Sequence, residues 1–375
     1  MHAEQLIDAV RPLVDAGEVP GAVVGVLHGD EVSLASLGTT EPSGGTAMPV
    51  EALVRISSNT KPMVAALTLL LAEQGLLALD DVVERFVPEL ADRHVVRRLD
   101  GRLDETVPAE RSITIEHLLT MRMGFGFVFE SECPAVAAAA AAGLGFGPPD
   151  PPSLPAPDEW VARFAALPLL EQPGRVWRYE LAYALLGVVL ARAGGRPLDV
   201  LLHEELFDRL AMTETAFVAS PGRLVPSFAR TENGFTGFDG ALDSRWSKPP
   251  IFPDARGGLV STASDLLRFA RMLLEHGRGL LSPASITAMT TDQLTTEQRS
   301  GPSARVFLNG GGWGYGVGVA DGARGRRYGW GGGLGTLWYS WPDHGLAAVL
   351  LTQVLPPSAE LIDAFVTGVE TAAGG

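Results

Sequence analysis

Apolar side chains recur at helical spacing in residues 4–16 (Leu6, Ile7, Val10, Leu13, Val14), which predicts an N-terminal helix. The runs Gly21-Ala-Val-Val-Gly-Val-Leu-His28 and Glu31-Val-Ser-Leu-Ala-Ser-Leu37 flank the turn dipeptide Gly29-Asp30 and read as a β-hairpin. Residues 59–76 carry the best helical pattern of the first third, with Gly75 near its end. From about 82 to 300 the pattern predicts helices at 114–121, 158–168, 181–194, 198–209 and 263–276, separated by long Pro- and Gly-rich connections. The stretch 143–157 reads as a loop. Strand-like patterning returns in Tyr315–Ala320, Gly335–Trp341 and Gly345–Thr352, followed by a closing helix over 357–371. Strands thus lie at both chain ends with helices between. The simplest architecture is an α/β sheet domain from residues 1–82 and 301–375, with a helical domain inserted over 83–300. No repeat with a period of 20–50 residues is visible.

Composition then removes whole classes of function. The 375 residues carry a formal net charge of −15, so there is no cationic surplus to displace phosphate counterions, and neither nucleic acid nor a membrane surface is an expected partner. The single Cys133 excludes an intrachain disulfide; set among carboxylates in Glu-Ser-Glu-Cys-Pro, it is expected to be idle or buried. The start of the chain shows no signal-peptide pattern, and Met63–Ala72 is too short to cross a bilayer, so a cytoplasmic enzyme is the expectation. Of 29 basic residues only Lys61 and Lys248 are lysines; the other 27 are arginines.

That imbalance directs attention to Arg55-Ile-Ser-Ser-Asn-Thr-Lys61-Pro-Met-Val-Ala. Ser58 and Lys61 lie three apart at a helix start, so their side chains share one face. The helix N-terminus supplies a positive end and free N–H groups, which favour an ionised Ser58 and an anion beside it. An ammonium partly desolvated near that end loses its proton more readily, and arginine cannot take this role because it stays protonated. The spacing alone leaves a second reading open, in which Ser58 is a helix N-cap without chemistry. Other standard sites are missing: there is no Gly-x-Ser-x-Gly, Gly-x-Gly-x-x-Gly or P-loop pattern, and the His203-Glu204-Glu205 run lacks the second histidine of a zinc helix. His344, in a predicted turn, reads as solvated or structural.

The wider context resembles the serine β-lactamase and penicillin-binding-protein superfamily, in particular the class C β-lactamase-like esterases called family VIII carboxylesterases. The Ser58-x-x-Lys61 segment is one hallmark; Gln172-Pro-Gly-Arg-Val-Trp-Arg-Tyr179 is the tyrosine motif after a Pro-Gly turn; Tyr328-Gly-Trp330-Gly331-Gly332-Gly333 stands where the family has Lys-Thr-Gly, His-x-Gly or Trp-Gly-Gly. Ile113–Thr120 and Gly257–Phe269 add support, and the resemblance runs from about 18 to 355. It implies a β-lactamase/transpeptidase-like fold, α/β plus all-α, with an antiparallel sheet flanked by helices and the site between the two domains. It also implies acyl transfer without metal or cofactor. Ser58 is the expected nucleophile, Lys61 and Tyr179 its proton network, and the backbone N–H groups of Ser58 and Gly333 the oxyanion hole. Gly331 and Gly332 would let substrate lie against the strand. Glu180 is expected to cap the following helix through its charge and Lys248 to be solvated.

Two departures bear on substrate. The family's Tyr-x-Asn is Tyr179-Glu180-Leu181 here, and Leu181 cannot hydrogen-bond the lysine or an amide side chain. Trp330 replaces a lysine that would pair with a β-lactam or peptide carboxylate; Arg326 or Arg327 is the candidate compensation. Both changes point to an apolar pocket in which Trp330, Leu181 and Phe125, with Phe127 and Trp313 as neighbours, hold a small-molecule ester. Thr120-Met-Arg-Met-Gly-Phe-Gly also departs from the usual Thr-His-Thr-Ser-Gly. The expected function is ester hydrolysis through a Ser58 acyl-enzyme. A β-lactamase or D-amino-acid amidase, an acyltransferase to a metabolite alcohol, and a non-catalytic sensor on the same fold are the alternatives; the oligomeric state is open.

Overall fold

The strand Gly21–His28 (β1) is buried at every position but the last, whereas Glu31–Gly38 (β2) is mostly exposed or half-buried. The first therefore belongs inside a sheet and the second at its edge. A computed structural model describing residues 1–220 and 222–372 shows why. The remaining strands of the sheet come from the far end of the chain: Gly312–Trp313 (β3), Gly318–Gly322 (β4), Gly325–Gly332 (β5), Thr336–Trp341 (β6) and Leu346–Leu351 (β7). The order is β2-β1-β7-β6-β5-β4-β3, antiparallel throughout, with Val24 opposite Leu350 where the two chain ends meet.

The two-residue period of β1 divides its side chains between two cores. Val24 and Val26 join Leu337, Trp341 and Leu350 under the N-terminal helix (Ala3–Asp15) and the closing helix (Ala359–Ala372). Val23 and Leu27 face the other way, as does Gly25, where a Cβ would lie 3.0 Å from Leu267 of the helix Ala263–Leu274. That helix falls within the stretch 83–300 yet covers the sheet. Short strand pairs also involve this stretch: His94–Val96 with Thr106–Pro108, Ser227–Thr231 with Gly234–Asp239 and, in parallel, with Val354–Leu355, and Val260–Ser261 with Val54–Arg55.

Below the sheet lies the helix Thr60–Glu73, buried at every position from Thr60 to Leu71, and beside it the helix Ala182–Gly194, buried from Ala182 to Leu190. Helices apolar on all sides belong to a core, and here they bring the Ser58–Lys61 segment into the middle of the molecule. The helix expected over 198–209 is α-helical only to Leu202 and continues as π and 3₁₀ turns. The helices Pro134–Ala141, Pro283–Met289 and Pro302–Leu308 lack a clean apolar period but share proline near the first helical position, which is preorganised for a helix start. Among the described residues no helix is long and apolar enough to cross a membrane.

Candidate active site

Four residues before Ser58, Val54 begins a short strand that pairs antiparallel with Val260–Ser261, and the Ile56 N–H donates to the Leu259 carbonyl at 3.0 Å. The chain then turns sharply. Ser57 has φ +47°, a left-handed conformation uncommon for a residue other than glycine, and Ser57–Asn59 form one 3₁₀ turn before the helix Thr60–Glu73. The turn is tied to the sheet through Thr336 at the head of β6. Asn59 Nδ2 donates to Thr336 Oγ1 at 3.1 Å, and Thr336 Oγ1 donates to the Ile56 carbonyl at 2.9 Å. Gly332 makes this approach possible: a Cβ there would lie 2.3 Å from the Ile56 oxygen.

In a 3₁₀ turn residues i and i+3 eclipse, and Lys61 Nζ donates to Ser58 Oγ at 2.9 Å. Asn59, not Ser58, occupies the N-cap position, and no side chain caps this helix, so the N-cap reading of Ser58 does not hold. Lys61 is fully buried and donates also to the Arg256 carbonyl at 2.6 Å; its ammonium lies 4.7 Å from the Tyr179 ring centroid. Burial pulls the Lys61 pKa down to about 8; Glu180 and Asp254 oppose this, and Arg256 reinforces it.

Tyr179 is fixed from several sides. Its N–H donates to Ser303 Oγ at 3.3 Å and its carbonyl accepts the Phe127 N–H at 2.6 Å. A Cβ on Gly126 would lie 2.4 Å from that carbonyl, so the unusual Met121–Gly126 segment is the bed on which the tyrosine motif rests. Buried Arg178, paired with Glu130 at 2.8 Å and Glu171 at 2.7 Å, holds the Phe127 carbonyl and pins the same loop. Trp330 Nε1 donates to the Tyr179 hydroxyl oxygen at 2.7 Å. Burial holds the phenol above its ordinary pKa, with hydrogen bonds from Ser58 and Trp330 acting the other way.

Ser58, Tyr179, Trp330, Gly331, Gly332 and Gly333 line one cleft of about 450 Å³, with Lys61 beneath it. Leu181 and Phe125 do not line it. Leu181 stands at the head of the helix Ala182–Gly194 and is wholly in the core, and Phe125 packs edge-on against Phe164 at 5.5 Å. Neither Arg326 nor Arg327 reaches it; Arg327 pairs with Glu370 at 3.0 Å. Trp313 supports Trp330 from behind, edge-on at 4.7 Å, while Phe127 is part of the lining. Phe307, Tyr339, Leu355 and Ile362 complete the apolar wall, and no motif signalled them. Glu180 makes no helix-capping hydrogen bond. It lines the cleft, accepts the Gly147 N–H at 2.9 Å and faces Arg256 at 3.8 Å. Lys248 is exposed and Cys133 buried.

A helix-flanked antiparallel sheet with a serine and a buried lysine at the seam is the arrangement of a serine hydrolase with a β-lactamase/transpeptidase-like fold. The family model Beta-lactamase matches residues 6–372, and the chain belongs to that family. Protein Rv1367c of Mycobacterium tuberculosis is 35% identical over 364 residues, covering 94% of this chain and 87% of the relative. Esterase EstB of Burkholderia gladioli is 31% identical over 349 residues, covering 87% and 83%. Among solved structures, EstCE1, described as a hydrolase with promiscuous acyltransferase activity, superposes with a TM-score of 0.83 at 23% identity over 98% of both chains.

Proposed function

We propose that this serine hydrolase cleaves carboxylic esters through a Ser58 acyl-enzyme. The observation that carries the reading is the Lys61–Ser58 hydrogen bond of 2.9 Å at the floor of an apolar cleft. Lys61, whose pKa lies near 8, is the better proton acceptor; Tyr179, held above its ordinary pKa, stays protonated near neutrality. Neutral Lys61 takes the Ser58 hydroxyl proton as Oγ bonds to the ester carbonyl carbon. The oxyanion forms against the Ser58 and Gly333 N–H groups. As the ester C–O bond breaks, the Tyr179 hydroxyl passes its proton to the leaving alkoxide and is reprotonated from the Lys61 ammonium. Trp330, a donor only, occupies a lone pair of the Tyr179 oxygen and leaves the hydroxyl hydrogen for this relay. Water then adds to the acyl-enzyme, and its collapse releases the acid and restores Ser58.

An ester, not an amide or β-lactam, fits this site because Trp330 lines the cleft at the position of the family's lysine, and none of the described lining residues supplies a cation. The names of EstB and of the lovastatin esterase of Penicillium rubens, 28% identical over 93% of this chain, agree with that choice. A small-molecule ester is the partner in this reading, and the cytoplasm the compartment. The test is fluorophosphonate labelling read by intact mass, with turnover of p-nitrophenyl butyrate compared with nitrocefin. One adduct, lost in Ser58→Ala, and turnover of the ester alone are expected; an adduct that persists in Ser58→Ala overturns the assignment. Product analysis with an added alcohol separates hydrolysis from acyl transfer.

A further inference from the structure

Among the described residues lining the cleft, Glu180 is the one with a formal charge; the others are apolar, aromatic, hydroxyl-bearing or glycine. Its side chain is 7% exposed. Oε1 is engaged, accepting the Gly147 N–H at 2.9 Å and lying 3.8 Å from Arg256. Oε2 takes no hydrogen bond from the described residues, yet it is not among the buried polar atoms shut off from solvent, so one carboxylate oxygen remains open.

Arg256 does not cancel this charge. Its guanidinium makes a two-pronged contact with Asp254, Nε at 2.9 Å and Nη2 at 2.8 Å, and Nη1 also donates to the Gly145 carbonyl. One guanidinium therefore faces two carboxylates, and while Lys61 is neutral, the form that accepts the serine proton, a net negative charge stays beside the nucleophile. Charges in an apolar, weakly screened cleft act far more strongly than in water. None of the described lining residues offers a cation to receive an anionic substrate.

We propose that Glu180 sets the charge selectivity of the cleft, disfavouring esters that carry a carboxylate near the scissile bond and favouring those that carry a cationic group there. This rests on the ester-hydrolase reading. The test uses three p-nitrophenyl esters whose acyl chains share a three-methylene spacer and end in tert-butyl, trimethylammonium or carboxylate. The first two are neutral and cationic isosteres, and the spontaneous rate measured with Ser58→Ala is subtracted throughout. The wild-type enzyme is expected to rank kcat/KM as ammonium, then tert-butyl, then carboxylate. Glu180→Gln, which keeps an acceptor for the Gly147 N–H, is expected to shrink the ammonium-to-carboxylate ratio by roughly tenfold or more. Glu180→Asp, which keeps the charge, is expected to retain the order, and thermal melts confirm that each variant is folded. Equal wild-type rates for the three esters, or an unchanged ratio in Glu180→Gln, overturn the proposal while leaving an ester hydrolase. No turnover of any of the three overturns the ester reading and this proposal with it.

Discussion

The two walls of the cleft are built on different principles. The polar side, Ser57–Lys61 and Tyr179 with the 254–258 turn behind them, is almost wholly buried, and its functional groups are tied by specific hydrogen bonds: Lys61 to Ser58 and the Arg256 carbonyl, Trp330 to Tyr179. Apart from Glu180, the rest of the lining is apolar: Phe127, Phe307, Tyr339 and Ile362 are half-buried, and Val306 is 56% exposed. Buried polar groups are costly unless paired, so the first wall admits few arrangements. The second needs only apolar surface of suitable shape, which many side chains supply. Changes on the first wall should alter kcat and its pH dependence, and changes on the second should alter KM and chain-length preference.

The largest expected effect is Ser58→Ala, which should lower kcat/KM for p-nitrophenyl butyrate by roughly 10⁴-fold or more while leaving the melting temperature nearly unchanged. A residual rate within tenfold of wild type, about 1.4 kcal/mol in barrier, would move the nucleophile elsewhere. Lys61→Arg should cost on the order of 10³-fold, because arginine remains protonated and cannot accept the serine proton. For the same reason wild-type kcat/KM should rise with pH and level off above an apparent pKa near 8, the protonated amine being inactive below it. A profile flat from about pH 6 to 9 would sink this assignment.

Gly332→Ala probes the link between nucleophile and sheet. The added methyl has no room beside the Ile56 carbonyl, so stability should fall by about 1–3 kcal/mol in denaturant melts and kcat should fall with it. Full activity would show that Ser58 does not depend on that contact. Trp330→Phe removes the N–H donor to Tyr179 together with the five-membered ring, and keeps a smaller aromatic ring against Trp313. A loss of roughly tenfold in kcat with little change in KM is expected, and a KM effect alone would reassign Trp330 to substrate contact. The smallest effect belongs to the apolar wall: Phe307→Ala should raise KM for longer acyl chains by roughly three- to tenfold, about 1 kcal/mol, with kcat within twofold. A larger kcat loss would mean that Phe307, 4.3 Å from the Tyr179 ring, positions the tyrosine.

Long elements with clear periods were legible in the chain. The N-terminal helix, the first hairpin and the strands at 336–341 and 346–351 lie close to where the pattern puts them, because amphipathic and buried runs report burial directly. The short strand pairs at 54–55 with 260–261 and at 94–96 with 106–108 were not, since two or three residues carry no period. The pocket residues divide along the same line. Local motifs brought Ser58, Lys61 and Tyr179 forward, and the structure sets them side by side, whereas Leu181 and Phe125 lie outside the cleft lining because nearness to a motif does not say which way a side chain points. Glu180 was read as capping the following helix through its charge; its hydrogen-bond and charge partners Gly147 and Arg256 lie 33 and 76 residues away along the chain, beyond the reach of any local pattern.

What the amino-acid order determined by itself is the Ser58–Lys61 face. Backbone periodicity alone brings residues three apart together at a helix start, and Lys61 is one of two lysines beside 27 arginines. Only the tertiary structure decided that Lys61 would be dry, that Arg256 would offer its carbonyl, and that Phe307 and Ile362 would line one cleft. Those outcomes depend on which distant segments exclude water from the same space, and desolvation is a property of the packed chain rather than of any stretch of it.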